Sequence, residues 1–83
     1  MAIPLYAFVR GDTLGLVVLA GDTESVNELA ERLARAAAPR VALDGKLLRV
    51  VHRGKVLPGQ LTLVEAGVAA LDRVDLVTES LDG

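Results

Sequence analysis

The sequence predicts an α+β domain in which a mixed sheet of four to five strands packs on one α-helix, and three observations predict it. Two apolar runs, residues 3–10 and 13–20, flank the turn-forming pair Gly11-Asp12, the pattern of a β-hairpin. One stripe of apolar residues at helical spacing runs from Val26 to Ala37. After Lys46 the chain returns to short strands punctuated by Arg53-Gly54, Pro58-Gly59 and Gly67. Residues 1–83 read as a single domain.

In the hairpin, period-two alternation puts Ile3, Leu5, Ala7 and Val9 on one face of the first strand and Tyr6 and Phe8 on the other. The second strand sends Leu14, Leu16 and Val18 one way and Val17 and Leu19 the other. Both faces are apolar, so one meets the helix and the second asks for cover. The helix opens at Gly21-Asp22-Thr23-Glu24-Ser25, where Asp22 or Thr23 can accept from an end amide and Glu24 favours the positive end of the dipole. Val26, Leu29, Ala30, Leu33, Ala34 and Ala37 form its buried stripe. Glu28 with Arg32, and Glu31 with Arg35, stand four apart with the acid first, each pair adding about 0.3–0.5 kcal/mol. Pro39 stops the helix, and residues 40–44 carry the chain on.

The next strand places Leu48, Val50 and His52 on one face and Leu47, Arg49, Val51 and Arg53 on the other. Arg53-Gly54 turns it into Lys55-Val56-Leu57. Thr62 caps a single turn through Glu65, and Gly67 suits the left-handed residue that ends it. The last strand runs from Arg73 to Thr78, with a frayed tail from Ser80 to Gly83.

Composition narrows the function. A chain of 83 residues builds a core of Val, Leu and Ala but not a roomy substrate cleft. It has no cysteine, which excludes disulfides and thiolate metal sites. With no export leader and no run near the about 18 apolar residues of a membrane span, the expected location is cytoplasmic, without membrane contact. Eleven acidic and nine basic residues are interspersed for a net charge of −2, which gives no basic field for nucleic acid.

Hairpin, helix, strand, turn, short strand, single turn and last strand is the element order of the β-grasp, and over its whole length the chain resembles ubiquitin-like proteins. The residues that carry this are Asp22-Thr23-Glu24 at the helix start, Arg53-Gly54-Lys55 with Leu57 close behind, and Thr62-Leu63 before the last strand. A ubiquitin-type modifier closes with Gly-Gly; this chain reads Ser80-Leu81-Asp82-Gly83, and the expectation is that it is not conjugated. Within the group it is similar to the small, gamma-type hydroxylase subunit of bacterial multicomponent diiron monooxygenases that oxidise toluene, alkenes and isoprene. That likeness rests on Ile3-Pro4-Leu5 with Ala7, Asp12, Leu16-Val17-Val18, Asp22 to Val26, Ala30-Glu31 and Leu48-Arg49-Val50. It continues through Thr62, Glu65-Ala66-Gly67, Val74-Asp75 and Thr78-Glu79.

The resemblance implies an accessory subunit without catalysis or cofactor of its own. Its expected partners are the hydroxylase's large alpha subunit, which holds the diiron centre, and the beta subunit, in an NADH-dependent system that oxidises aromatic hydrocarbons or alkenes. A second family that the chain resembles is the ubiquitin-like proteins of type VII secretion systems, through Arg49-Val50-Val51, Lys55-Val56, Gly67-Val68 and Asp72-Arg73; there the implied role is protein–protein interaction in a secretion apparatus.

The residues agree with a binding module. A soluble diiron site draws on carboxylates and Glu-x-x-His pairs from several helices, and this chain has one histidine. His52 has no second ligand or orienting acid in sequence reach and reads as a strand histidine at a sheet surface or interface, or else as one that bonds a partner's backbone or carboxylate, which is recognition rather than catalysis. Thr13, Thr23 and Ser25 suit turns and caps rather than a nucleophile elbow. Gly11 to Gly15 is not a phosphate loop, because no helix follows it. Asp72, Asp75, Glu79 and Asp82 lack calcium-loop spacing and read as a solvated rim. Two surfaces remain as docking candidates. Tyr6, Phe8, Val17 and Leu19 share one hairpin face; Val51 and Val77, on neighbouring strands in a ubiquitin-like arrangement, form an apolar centre flanked by Arg49, Arg53 and Asp75.

Overall fold

The structure, a computed structural model, describes residues 2–12, 15–40 and 46–80. Six elements follow in the order β1 (Ala2–Val9), β2 (Gly15–Gly21), α1 (Val26–Ala37), β3 (Lys46–His52), β4 (Lys55–Val56) and β5 (Arg73–Ser80). The strands form one five-stranded sheet ordered β2-β1-β5-β3-β4. Its central pair, β1 and β5, is parallel, and every other pair is antiparallel. The helix lies across one face of this mixed sheet, as the sequence predicts.

Alternation decides which face the helix covers. Leu5, Ala7 and Val9 of β1, Ala20 of β2, Val50 of β3 and Val74 and Leu76 of β5 are buried against Val26, Leu29, Ala30, Leu33 and Ala37 of α1. Leu16, Val18, Leu48 and Ala34 pack partly buried around them. The expected helical stripe is therefore present. Thr13 and Leu14 of the hairpin, residues 41–45 and the tail beyond Ser80 lie outside the described residues. β5 is longer than expected, because its pairing with β3 continues to Lys46↔Ser80.

Ser25, not Asp22 or Thr23, caps the helix. The Glu28 amide donates to Ser25 Oγ at 3.1 Å, and the Ser25 amide donates to Glu28 Oε1 at 3.1 Å. This reciprocal capping box needs a glutamate three residues on, which Ser25 has and Asp22 lacks. The two amides between them donate to the following loop: Val26 N–H to Leu61 O at 2.9 Å and Asn27 N–H to Gly59 O at 3.0 Å. The helix start thus has partners for its otherwise orphaned donors, and the loop from 57 to 68 is tied beneath the sheet, burying Leu57, Leu63 and Val68.

Arg32 does not pair with Glu28 as spacing suggests. Its guanidinium reaches Glu24 Oε1 at 2.7 Å and the Leu19 carbonyl at 2.9 Å, since Glu28 is already engaged by the cap. A second capping box, Thr62 with Glu65, opens the predicted single turn, and Gly67 ends it at φ 84°. Arg53 at φ 52° and Gly54 at φ 78° form the two-residue turn between β3 and β4, the left-handed pair that tight hairpins favour.

Candidate docking surface

The face of the sheet opposite the helix is open, and side chains from all five strands meet on it in register. Gly15, Phe8, Asp75, Val51 and Val56 form one continuous row across the sheet, through the pairs Phe8↔Gly15, Phe8↔Asp75, Val51↔Asp75 and Val51↔Val56. Val17, Tyr6 and Arg73 form the next row, and Leu19 stands opposite Pro4 beyond it. On the other side Arg49 faces Val77. A protein of this size leaves many apolar atoms at its surface, but seldom as a contiguous patch on one face.

The predicted hairpin face is the open one. Tyr6, Phe8, Val17 and Leu19 are exposed, with Val17 at 72% and Leu19 at 62%. Val51 and Val77 lie on the same face but are half-buried by their neighbours, so the two candidate surfaces are one surface rather than alternatives. Arg49 belongs to it through its pairing with Val77. Arg53 stands apart in the β3–β4 turn, its guanidinium 3.8 Å from Asp72 Oδ1.

Two members of the patch, Val56 and Arg73, were not singled out by the sequence, nor was the exposed Leu71 in the turn before β5. Val56, 55% exposed, joins the patch because two-residue β4 pairs it with Val51; continuing the period-two pattern through the turn would have found it. Leu71 is 63% exposed and holds a left-handed backbone at φ 68°, its amide donating to Pro4 O. Nothing local marks it, since leucine seldom adopts that conformation. Arg73 lies with its guanidinium carbon 4.2 Å from the centre of the Phe8 ring, a cation–π contact, and its Nε–H donates to Asp75 Oδ1 at 3.1 Å. On the other flank of the ring a Cβ at Gly15 would stand 2.8 Å from Phe8 Cε1, so the glycine makes room for the aromatic.

The chemistry-bearing groups elsewhere are structural. His52 is 6% exposed on the helix-covered face, a correction to the surface position expected. It has an orienting acid after all, since Asp72 Oδ2 lies 2.8 Å from His52 Nε2. The same oxygen accepts from the Ala69 amide at 3.0 Å. Asp72 is thus a connector between the β3 end and the loop before β5 rather than part of a solvated rim. The Ala69 amide first, then the His52 hydrogen bond, hold its carboxyl below the usual carboxylate range. An ionised carboxylate only accepts, so His52 Nε2 carries the hydrogen. Among the described residues no group of three or more histidine, aspartate or glutamate side chains is placed to hold a metal ion. The single histidine is already engaged, and this donor set does not fit a diiron centre. No helix among the described residues is long and apolar enough to cross a membrane.

One helix laid on a five-stranded mixed sheet in this order defines a ubiquitin-like protein, and solved ubiquitin-like structures match it. The ubiquitin of Caldiarchaeum subterraneum superposes with a TM-score of 0.76 at 20% identity over all of both chains. The EccD5 ubiquitin-like domain from Mycobacterium xenopi gives 0.81 at 14% identity over 96% of this chain and 97% of that one; these show the fold alone. The family model for toluene-4-monooxygenase system protein B matches residues 2–77, and the chain belongs to that family, a component of a monooxygenase system. In keeping with it, a chain of the toluene 4-monooxygenase HD complex with the inhibitor 4-bromobenzoate has a TM-score of 0.88 at 27% identity, over 95% of this chain and 100% of that one. Comparison with curated protein sequences gives no match.

Proposed function

We propose that this chain is a non-catalytic accessory subunit of the hydroxylase of a diiron hydrocarbon monooxygenase, and that it docks by its open sheet face on the large, diiron-bearing alpha subunit. The observation that carries the reading is the family match over residues 2–77. The open face supplies the means: an apolar centre of Tyr6, Phe8, Val17, Leu19, Val51 and Val77 with arginines at its margin has the anatomy of a recognition patch. Aromatics and arginine are the side chains that most often carry binding energy at such patches. Oxygen activation and hydrocarbon oxidation then belong to the partner subunits, because the donor set here does not fit the iron site. The role of this chain is to stabilise or modulate the assembly of alpha and beta subunits.

Co-expression with the genes that neighbour it tests this. The expected result is co-elution in a large, iron-containing complex, at a fixed ratio to a large helical subunit. Elution of the chain by itself, with the iron-containing subunits assembled in its absence and unable to bind it, contradicts the proposal.

A further inference from the structure

Among the described residues, the positions with a left-handed backbone differ in what their side chains do. Gly11, Gly54 and Gly67 have none, and glycine takes that conformation at no steric cost. Arg53, at φ 52°, uses its side chain within the chain, since its guanidinium stands 3.8 Å from Asp72 Oδ1. Leu71, at φ 68°, is 63% exposed and belongs neither to the core nor to the partly buried apolar residues packed around it.

The turn, not the leucine, demands this backbone. Leu71 N–H donates to Pro4 O at 2.6 Å, Asp72 N–H to Ala69 O at 3.1 Å and Tyr6 N–H to Asp72 O at 3.0 Å, so main-chain bonds fix the entry of β5 beside β1. A glycine or an asparagine would meet that demand with less strain, and an exposed leucine returns little burial for it. Single exposed apolar residues are ordinary, but one that also strains the backbone points to a use outside the fold. Its place says which use. Pro4, which accepts from the Leu71 amide, stands in register with Leu19, itself 62% exposed on the open face. Leu71 is thus at the margin of that face, where β5 begins. One side chain buries far too little surface to hold a second copy of the chain by itself, so its contact forms together with the larger one that covers the open face.

We propose that Leu71 is an anchor of the docking surface, its side chain entering an apolar recess of the monooxygenase subunit that covers the open face. The proposal rests on the docking reading above and adds the strained turn before β5 to the surface that the partner contacts. The main-chain bonds of the turn hold the leucine's backbone in place before the partner arrives, which lowers the ordering cost of binding.

The test measures urea unfolding of the free chain and its affinity for the co-expressed remaining subunits of its monooxygenase. Leu71→Gly and Leu71→Asn relieve the backbone and remove the apolar side chain. Their urea midpoints should be no lower than that of wild type, while their affinities fall about tenfold, the scale set by returning a buried leucine to water. Leu71→Met, apolar and of similar volume, should bind within about threefold of wild type. Val64→Asn, at a residue 57% exposed but without a left-handed backbone, should bind as wild type does. Midpoints below wild type in both Leu71→Gly and Leu71→Asn would mean that the leucine serves the fold, and wild-type affinity in both would mean that no partner covers it. Either result overturns this inference and leaves the docking reading intact as long as Tyr6→Asp weakens binding. Wild-type affinity in Tyr6→Asp as well as in both Leu71 variants overturns the docking reading and this inference with it.

Discussion

Tyr6→Asp and Val17→Asp are each expected to weaken assembly with the monooxygenase by about 2–4 kcal/mol, while the isolated chain stays folded. The two side chains stand opposite each other on β1 and β2, at 46% and 72% exposure. On the free protein a carboxylate there remains in water, and substitutions at such positions usually change stability by no more than about 0.5 kcal/mol. In an interface the same carboxylate is stripped of water without a partner, and at position 6 a large anchor is lost as well. Val51→Asp is a poorer probe, because the new acid would face Asp75 directly across β3 and β5, and like charges in that position destabilise the sheet. Gel filtration of the co-expressed complex reads the assembly, and thermal melts of the free chain read the fold.

Leu33→Ala should have the largest effect on the fold, a loss of about 2–5 kcal/mol. The leucine is fully buried at the middle of α1, where truncation removes transfer energy and leaves a cavity the sheet cannot fill. Domains of this size hold about 5–15 kcal/mol in all, so the variant loses a large fraction of its stability. Val64→Ala, at a residue 57% exposed, should fall within about 0.5 kcal/mol of wild type. Urea unfolding checks both, with the midpoint moving and the slope unchanged if only stability is altered.

What could be read in advance follows the range of the interactions. The α1 stripe, the two faces of the hairpin and the Thr62 turn depend on neighbours a few residues away, and period and cap chemistry report them directly. The Ser25 cap is equally local, since Ser25 and Glu28 carry the full capping-box signature, but two other cap residues, Asp22 and Thr23, stand just before it and compete with it. His52 with Asp72, twenty residues apart in sequence, depends on how the β3–β4 hairpin and the loop before β5 come together. Arg32 finding Glu24 and Leu19 rather than Glu28 depends on the helix crossing the β2 edge. At the candidate site, alternation gave the members of each face but not which face the helix takes. That was settled by the packing of Leu5, Ala7 and Val9. The stack of Arg73 on Phe8 follows from parallel pairing of the first and last strands, a long-range contact with no local signature.

The chain contains no cysteine, so a single introduced thiol reports one place on its surface. Val17→Cys on the open face and Glu31→Cys on the outer side of α1, labelled with a maleimide in the free chain and in the assembled monooxygenase, measure which side the partner covers. Docking by the open sheet face predicts that assembly slows labelling at position 17 at least tenfold and leaves position 31 within about twofold of the free rate. Protection at position 31 with unchanged labelling at position 17 would place the partner on the helix and contradict the account.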